Sequence, residues 1–398
     1  MNLWIDCEKK PITELLEFVV DNRGKSVPTT DKGHILIATN CIRNDHLYPK
    51  YEKIRYLSQE TYETFFRSHP LPGDIIFVNK GTPGRVCLVP DPIDFCIAQD
   101  MIALRANKNL VDGHYLFAVL RSPMIQTQIH NTYVGDVIPH FKKQFMDRLL
   151  IPLPSMEIQK KIGEIYYTIC DKIEVNRRIN EQLEELAGAL FKSWFVDFEP
   201  FKDGEFVDSE LGMIPKGWKV GTLDEVSKLI AGGDKPEIVS PNKTEETQYP
   251  IYSNGIDNYG LYGYTNNYRI AEESVTVSAR GTIGYVCLRE EPYTPIVRLI
   301  SIIPNLKYVS AKFIYHSLKT KSIMGTGTTQ QQLTVPMFRR TSIIVPPKNI
   351  VDSFTVKVNS MFDFRRKNQQ EITHLTTLRD TLLPKLMSGE IDVNEVKI

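Results

Sequence analysis

Two short stretches of this sequence carry residue types suited to holding a phosphate. Lys80 to Leu88 reads KGTPGRVCL and Arg280 to Leu288 reads RGTIGYVCL. Glycine lets a backbone approach an anion closely, and threonine hydroxyls and basic side chains can bind phosphate oxygens. Lys80, Thr82 and Arg85 are therefore candidate anion contacts in the first stretch, and Arg280, Thr282 and Tyr285 in the second. A plainer reading of the glycines is that any tight turn between strands needs them.

Covalent chemistry finds no such support. Gly24-Lys25-Ser26 resembles the end of a phosphate-binding loop, but Val19 stands where that motif needs a glycine. Gly325-Thr326-Gly327 lacks the strand-to-helix context of a nucleotide site. The sequence has no Gly-x-Ser-x-Gly, no His-Glu-x-x-His and no Asp/Asn-Pro-Pro-Tyr, so neither hydrolysis nor methyl transfer is encoded by a familiar motif. Six widely spaced cysteines and eight scattered histidines give no metal-ligand spacing, and no metal is expected.

The elements that position the two stretches come from an internal repeat. They are related by an offset of 200, and further on the offset becomes 192: Gly135 matches Gly327, Pro154 matches Pro346, and Asn176 matches Asn368. An eight-residue difference in loop length would account for the change. Upstream, Ile12, Glu14, Leu15 and Phe18 align with Leu223, Glu225, Val226 and Leu229, predicting a short helix at the start of each unit. Asp74-Ile75-Ile76-Phe77-Val78 and Ser274-Val275-Thr276-Val277-Ser278 read as strands entering the Gly-Thr-x-Gly turn, with a second strand leaving it.

Each unit closes on a different period. Apolar residues recur at spacings of three and four from Ile158 through Ile173, Leu183, Leu186 and Leu190 to Trp194, and again from Val351 through Leu375, Leu378 and Leu382. Helices of about 35 to 40 residues would be roughly 50 to 60 Å long. Their apolar stripes need cover, and pairing with each other as an antiparallel coiled coil supplies it. Asn176 and Asn368 fall at equivalent places on this seam, where a buried amide would fix register; the alternative is that both face solvent. Trp194, Phe195 and Phe198 make the end of the first helix too aromatic for a simple seam, and are expected either to pack internally or to anchor a partner.

Composition sets the limits. Of 398 residues, 42% are apolar and 24% charged, enough for two or three cores. Basic and acidic residues balance at 48 each, so any surface for a polyanion must be a local patch. No apolar run is long enough to cross a membrane, and the chain is expected to be cytoplasmic.

Several segments resemble one known family. Asn176 to Phe201 (NRRINEQLEELAGALFKSWFVDFEPF), Glu210 to Trp218 (ELGMIPKGW), Ile151 to Ile162 (IPLPSMEIQKKI) and Thr381 to Ile391 (TLLPKLMSGEI) are similar to conserved regions of type I restriction-modification specificity subunits. The resemblance implies an α+β fold: two similar mixed α/β target-recognition domains, related by a pseudo-twofold repeat and connected by two long antiparallel helices. On that basis residues 1–155 are the first recognition domain, 156–199 the first long helix and 200–215 a linker. Residues 216–348 are the second domain, 349–387 the second long helix and 388–398 a tail.

The resemblance further implies a non-catalytic subunit that reads a split, asymmetric sequence in double-stranded DNA. Two methyltransferase subunits, and nuclease subunits as further partners, would carry S-adenosylmethionine, ATP and Mg, with no cofactor on this chain. Besides the turn residues, Gln330, Gln331, Gln332 and Arg339 are then candidate DNA contacts in the second domain, with counterparts near His140, Lys142 and Lys143 in the first. Two rivals remain open from the sequence: a coiled-coil adaptor whose modules bind protein or another ligand, and an enzyme with an unfamiliar site.

Overall fold

A computed structural model describes residues 7–22, 25–135, 138–325 and 332–396. The chain forms two compact units, residues 1–179 with 367–398, and residues 180–366.

The strand Ile75–Val78 is buried along its whole length, because it lies inside a four-stranded antiparallel sheet with apolar layers on both faces. Ile75 and Phe77 point into a core shared with helices, whereas Ile76 and Val78 point into a second core with Leu36, Ile37 and Ile97. That is the period-two alternation of a strand that needs cover on both sides. The sheet order is Leu16–Asp21, Met101–Ala106, Ile75–Val78, Val86–Leu88. Across the second core lies a three-stranded sheet, in which His34–Ile37 pairs antiparallel with Arg55–Leu57 and parallel with Phe95–Ile97.

The second unit repeats this topology. Its four-stranded sheet runs Ser227–Ala231, Leu299–Pro304, Ser274–Ser278, Val286–Arg289. Its three-stranded sheet sets Tyr249–Tyr252 antiparallel to Leu261–Thr265 and parallel to Thr294–Pro295. Register is kept as well: Val78 pairs with Met101, and Ser278 with Leu299. The chemistry between the sheets differs. Where the first unit has Asp74, Ile76 and Val78, the second buries Ser274, Thr276 and Ser278: Ser274 Oγ bonds with Tyr293 Oη (2.9 Å), Arg289 Nε donates to Thr276 Oγ1 (2.9 Å), and Ser278 Oγ donates to Thr282 O.

Two expectations change here. A short helix does occur at Ile12–Leu15 and at Leu223–Val226, but each is preceded by a strand, Glu8–Pro11 or Lys219–Thr222. These strands pair with Leu150–Leu153 and Ser342–Val345, the segments entering the long helices, and so close each module. The change of offset is also not a matter of loops alone. Through Gly113–Arg121 and Ala311–Lys319 the offset is 198, so most of the shift follows these helices. There the first unit carries a helix, Pro123–Thr132, with no counterpart among the described residues of the second.

The long helices are Met156–Phe195 and Lys348–Ser388. Within each unit, segments of the two pack antiparallel. In the first unit, Asn176 Nδ2 donates to Glu371 Oε2 (2.8 Å), while Ile165, Tyr166 and Ile169 face Arg379, Leu382, Leu383 and Leu386. In the second, Glu184 pairs with Arg365, and the rings of Phe195 and Phe354 lie 5.2 Å apart. Leu186 and Leu378, read from the sequence as stripe residues, are instead 54% and 38% exposed. A strict three-four repeat drifts around a straight helix, so some positions leave the covered face.

Candidate nucleic-acid interface

The two Gly-Thr-x-Gly segments connect equivalent strands in equivalent ways. Val78 N–H donates to Arg85 O (2.9 Å) and Gly84 N–H to Val78 O (3.0 Å); Ser278 and Tyr285, and Gly284 and Ser278, repeat both bonds at 3.1 and 3.0 Å. Gly81, Gly84, Gly281 and Gly284 all have φ between 73° and 88°, a left-handed region that disfavours other residues. The paired glycines differ in surroundings. A Cβ on Gly84 would press on Gln126 and Ile129, and one on Gly284 on Ile323, so the second glycine is required by packing. Over Gly81 nothing lies within 4 Å, which leaves the outer side of that turn open to a ligand.

A third segment runs beside each turn. Lys80 and His140 form an antiparallel bridge, with Gly81 N–H donating to Pro139 O (2.9 Å) and Phe141 N–H to Asn79 O (2.7 Å). Leu333 N–H makes the matching bond to Ala279 O (2.9 Å), which puts exposed Gln332 next to the arm carrying Arg280. Lys80, Thr82, Arg85 and His140 are half-buried, Lys142 is exposed, and Lys143 pairs with Asp21. Arg280 and Tyr285 are half-buried, and Thr282 is exposed. Arg339 is exposed but pairs with Asp224 at 3.4 Å, on the helix that opens the module and not on the turn. Gln330 and Gln331 lie outside the described residues.

Two neighbours of the turns were not singled out from the sequence. In the first unit, Pro83, Gln126, Thr127, Ile129, His130 and Tyr133 line a shallow cleft of 350 Å³. Gln126 Nε2 ties this wall to the turn by donating to Gly84 O (2.9 Å). In the second unit, the loop after Tyr252 reaches the turn through Asn254 Nδ2, which donates to Arg280 O (2.9 Å). Asn and Gly enrichment in Ser253–Gly260 was the available signal, but it marks a loop without saying what the loop touches.

The other assigned residues sit in the helical layer. Asn176 and Asn368 are buried at 2% and 5% exposure. Asn176 satisfies its amide on Glu371, so Asn176→Leu would leave a carboxylate without that donor while adding apolar contact. If Asn176 and Asn368 set register, the double leucine variant will melt at a higher temperature and allow non-native cross-links between the helix segments. Cysteine pairs along the seam would detect the slip, and an unchanged Tm and cross-link pattern would remove the register role. Phe195 is 3% exposed, between Phe191, Trp194, Trp218, Phe313 and Phe354; Trp194 and Phe198 are half-buried beside Phe201 and Trp218.

Among the described residues no three His, Cys, Asp or Glu side chains are grouped to hold a metal, and no helix is long and apolar enough to cross a membrane. Two glycine-built turns, each flanked by cations, hydroxyls and amides, thus stand in equivalent places of the two units.

Comparison with known proteins agrees. Residues 5–185 and 215–376 match the family model of the type I restriction modification DNA specificity domain. The MjaIX type I restriction enzyme specificity subunit of Methanocaldococcus jannaschii is 28% identical over 81% of this chain and 79% of its own length. The HindI specificity subunit of Haemophilus influenzae is 27% identical over 80% and 86%. The crystal structure of a type I restriction-modification system S subunit from M. genitalium shares the fold, with a TM-score of 0.57 at 16% identity over 97% of this chain and 98% of that one. Two copies of one specificity domain, matched in sequence and repeated strand for strand in the fold, place the chain in the type I restriction-modification DNA specificity family.

Proposed function

We propose that this chain is the DNA-reading subunit of a type I restriction-modification complex, each module reading one half of a split, asymmetric target in double-stranded DNA. As a member of the specificity family it is a non-catalytic component that acts with other subunits and DNA. In this proposal two methyltransferase subunits supply S-adenosylmethionine and methylate adenine, and nuclease subunits supply ATP- and Mg-dependent cleavage, all in the cytoplasm.

The observation that carries the reading is a repeated scaffold with different residues at its open turns. Strand order is the same in both modules, and the strands that flank the turn keep their register, yet Lys80, Arg85 and His140 in one stand against Arg280, Tyr285 and Gln332 in the other. Identical heads would read a symmetric site. Heads of one shape and unlike side chains suit two different half-sites. Phosphate contacts by Lys80, Arg85, Lys142, Lys143 and Arg280 would position the duplex, while Gln330, Gln331 and Gln332 would address base edges. Trp194 and Phe198 belong to the helical region offered to partners, and Leu186 and Leu378 expose leucine at repeat-equivalent sites there.

Mapping methylated adenines across a genome, in cells carrying this chain with its methyltransferase, tests the role: a gapped asymmetric motif is expected, and methylation without any motif would overturn it. Arg280→Ala should weaken binding to target DNA and flatten the log-log salt dependence by about one unit, as loss of one phosphate contact does. A titration at several salt concentrations reads both quantities, and an unchanged slope removes Arg280 from the interface.

A further inference from the structure

The loop between Tyr249–Tyr252 and Leu261–Thr265 holds a conformation that folding alone does not favour. Asn258 and Tyr259 have φ of 46° and 55°, and Gly260 continues the left-handed turn at 80°. Asparagine and glycine visit this region readily, but a tyrosine does so against the clash of its Cβ with its own carbonyl. Burial gives no return for that strain, since Tyr259 is 58% exposed.

The strain is held from below. Arg289, only 5% exposed, donates Nη2 to Tyr259 O (2.8 Å) and Nε to Thr276 Oγ1 (2.9 Å), with its guanidinium 3.5 Å above the ring of Tyr252. A buried cation is thus committed to fixing the backbone of an exposed aromatic residue. The same loop is tied to the Gly-Thr-x-Gly turn by Asn254 on Arg280 O. Strained positions that their surroundings over-determine gather at binding sites.

We propose that Tyr259 is a specificity-determining residue of the second module, its ring pressing on a base pair of that module's half-site beside the phosphate held at the turn. This rests on the DNA-reading role proposed above and adds a contact the turn cannot make, a flat apolar surface against the bases. The first module carries exposed Lys53 with φ of 48° at the equivalent place, two residues before Arg55–Leu57, and so has a left-handed residue there but no aromatic ring. Its longer connection, residues 38–54, uses Tyr48 and Asp45 to contact Tyr167 and Arg177 on the long helix.

The test uses the whole complex with its methyltransferase subunits and maps methylation for Tyr259→Gly, Tyr259→Ala and Tyr259→Phe. Glycine relieves the backbone strain, so Tyr259→Gly should keep or raise Tm while relaxing recognition at one or two positions of one half-site only, with methylation of the original target slowed about tenfold or more. Tyr259→Phe should retain the motif. Methylation of the same motif at the same rate by the glycine and alanine variants would overturn the proposal, as would a fall in Tm for Tyr259→Gly, which would assign the ring to packing. An unsubstituted complex that yields no gapped motif would instead sink the DNA-reading role itself.

Discussion

Replacing Phe195 by alanine should destabilise the second unit by about 3–5 kcal/mol, the cost of removing a large ring from a filled core. The ring is 3% exposed and lies within 6.1 Å, centroid to centroid, of Phe191, Trp194, Trp218, Phe313 and Phe354. These neighbours come from the two long helices, the module helix Ala311–Lys319 and the segment at Trp218, so no single one can move in to fill the gap. At roughly 2–4 °C per kcal/mol for a body of this size, Tm for that unit should fall by about 6–20 °C. Thermal unfolding followed by near-ultraviolet circular dichroism would show it, since the aromatic cluster dominates that signal. If Phe195 served only to anchor a partner, Tm would hold while co-purification with the methyltransferase failed, and that pattern would refute the packing role.

How far these features could be read in advance follows the range over which each is determined. The strand-turn-strand units and the long helices were legible because they rest on local pattern: a short apolar run at Ile75–Val78 ending in paired glycines, and three-four spacing from Ile158 onward. The pairing of the helices was legible because an uncovered apolar stripe must find cover. The closing strand pairs, Glu8–Pro11 with Leu150–Leu153 and Lys219–Thr222 with Ser342–Val345, were not, since they join segments more than 100 residues apart with only four residues on each side.

Polar groups buried by tertiary packing were hidden for the same reason. Glu184 reads as one more exposed helix glutamate, yet it accepts from Tyr315 Oη (2.6 Å) and Lys319 Nζ (2.8 Å) and pairs with Arg365. His316, beside it, is held in its neutral form by burial, its ring pushed down to about 4. The open turns were found from their repeat, whereas Tyr259 was missed: a left-handed backbone carries no mark when the residue is neither glycine nor asparagine.

Changing the helices should change the DNA sequence that is methylated. If the paired helices set the distance between two reading heads, inserting seven residues at matched points of Met156–Phe195 and Lys348–Ser388 adds about 10 Å at 1.5 Å per residue. Seven residues nearly complete two turns, so the apolar faces keep their phase to within about 20° and the helices can still pair. At about 3.4 Å per base pair the gap between half-sites should lengthen by roughly three base pairs. Both half-sites should keep their sequences, because no module residue has changed. Methylation mapping of the lengthened complex reads gap and half-sites together. The native target should be lost and the same half-sites recovered farther apart; methylation persisting at the native gap would show that something other than the helices sets the distance, whereas altered half-sites would mean that the insertion had disturbed the modules.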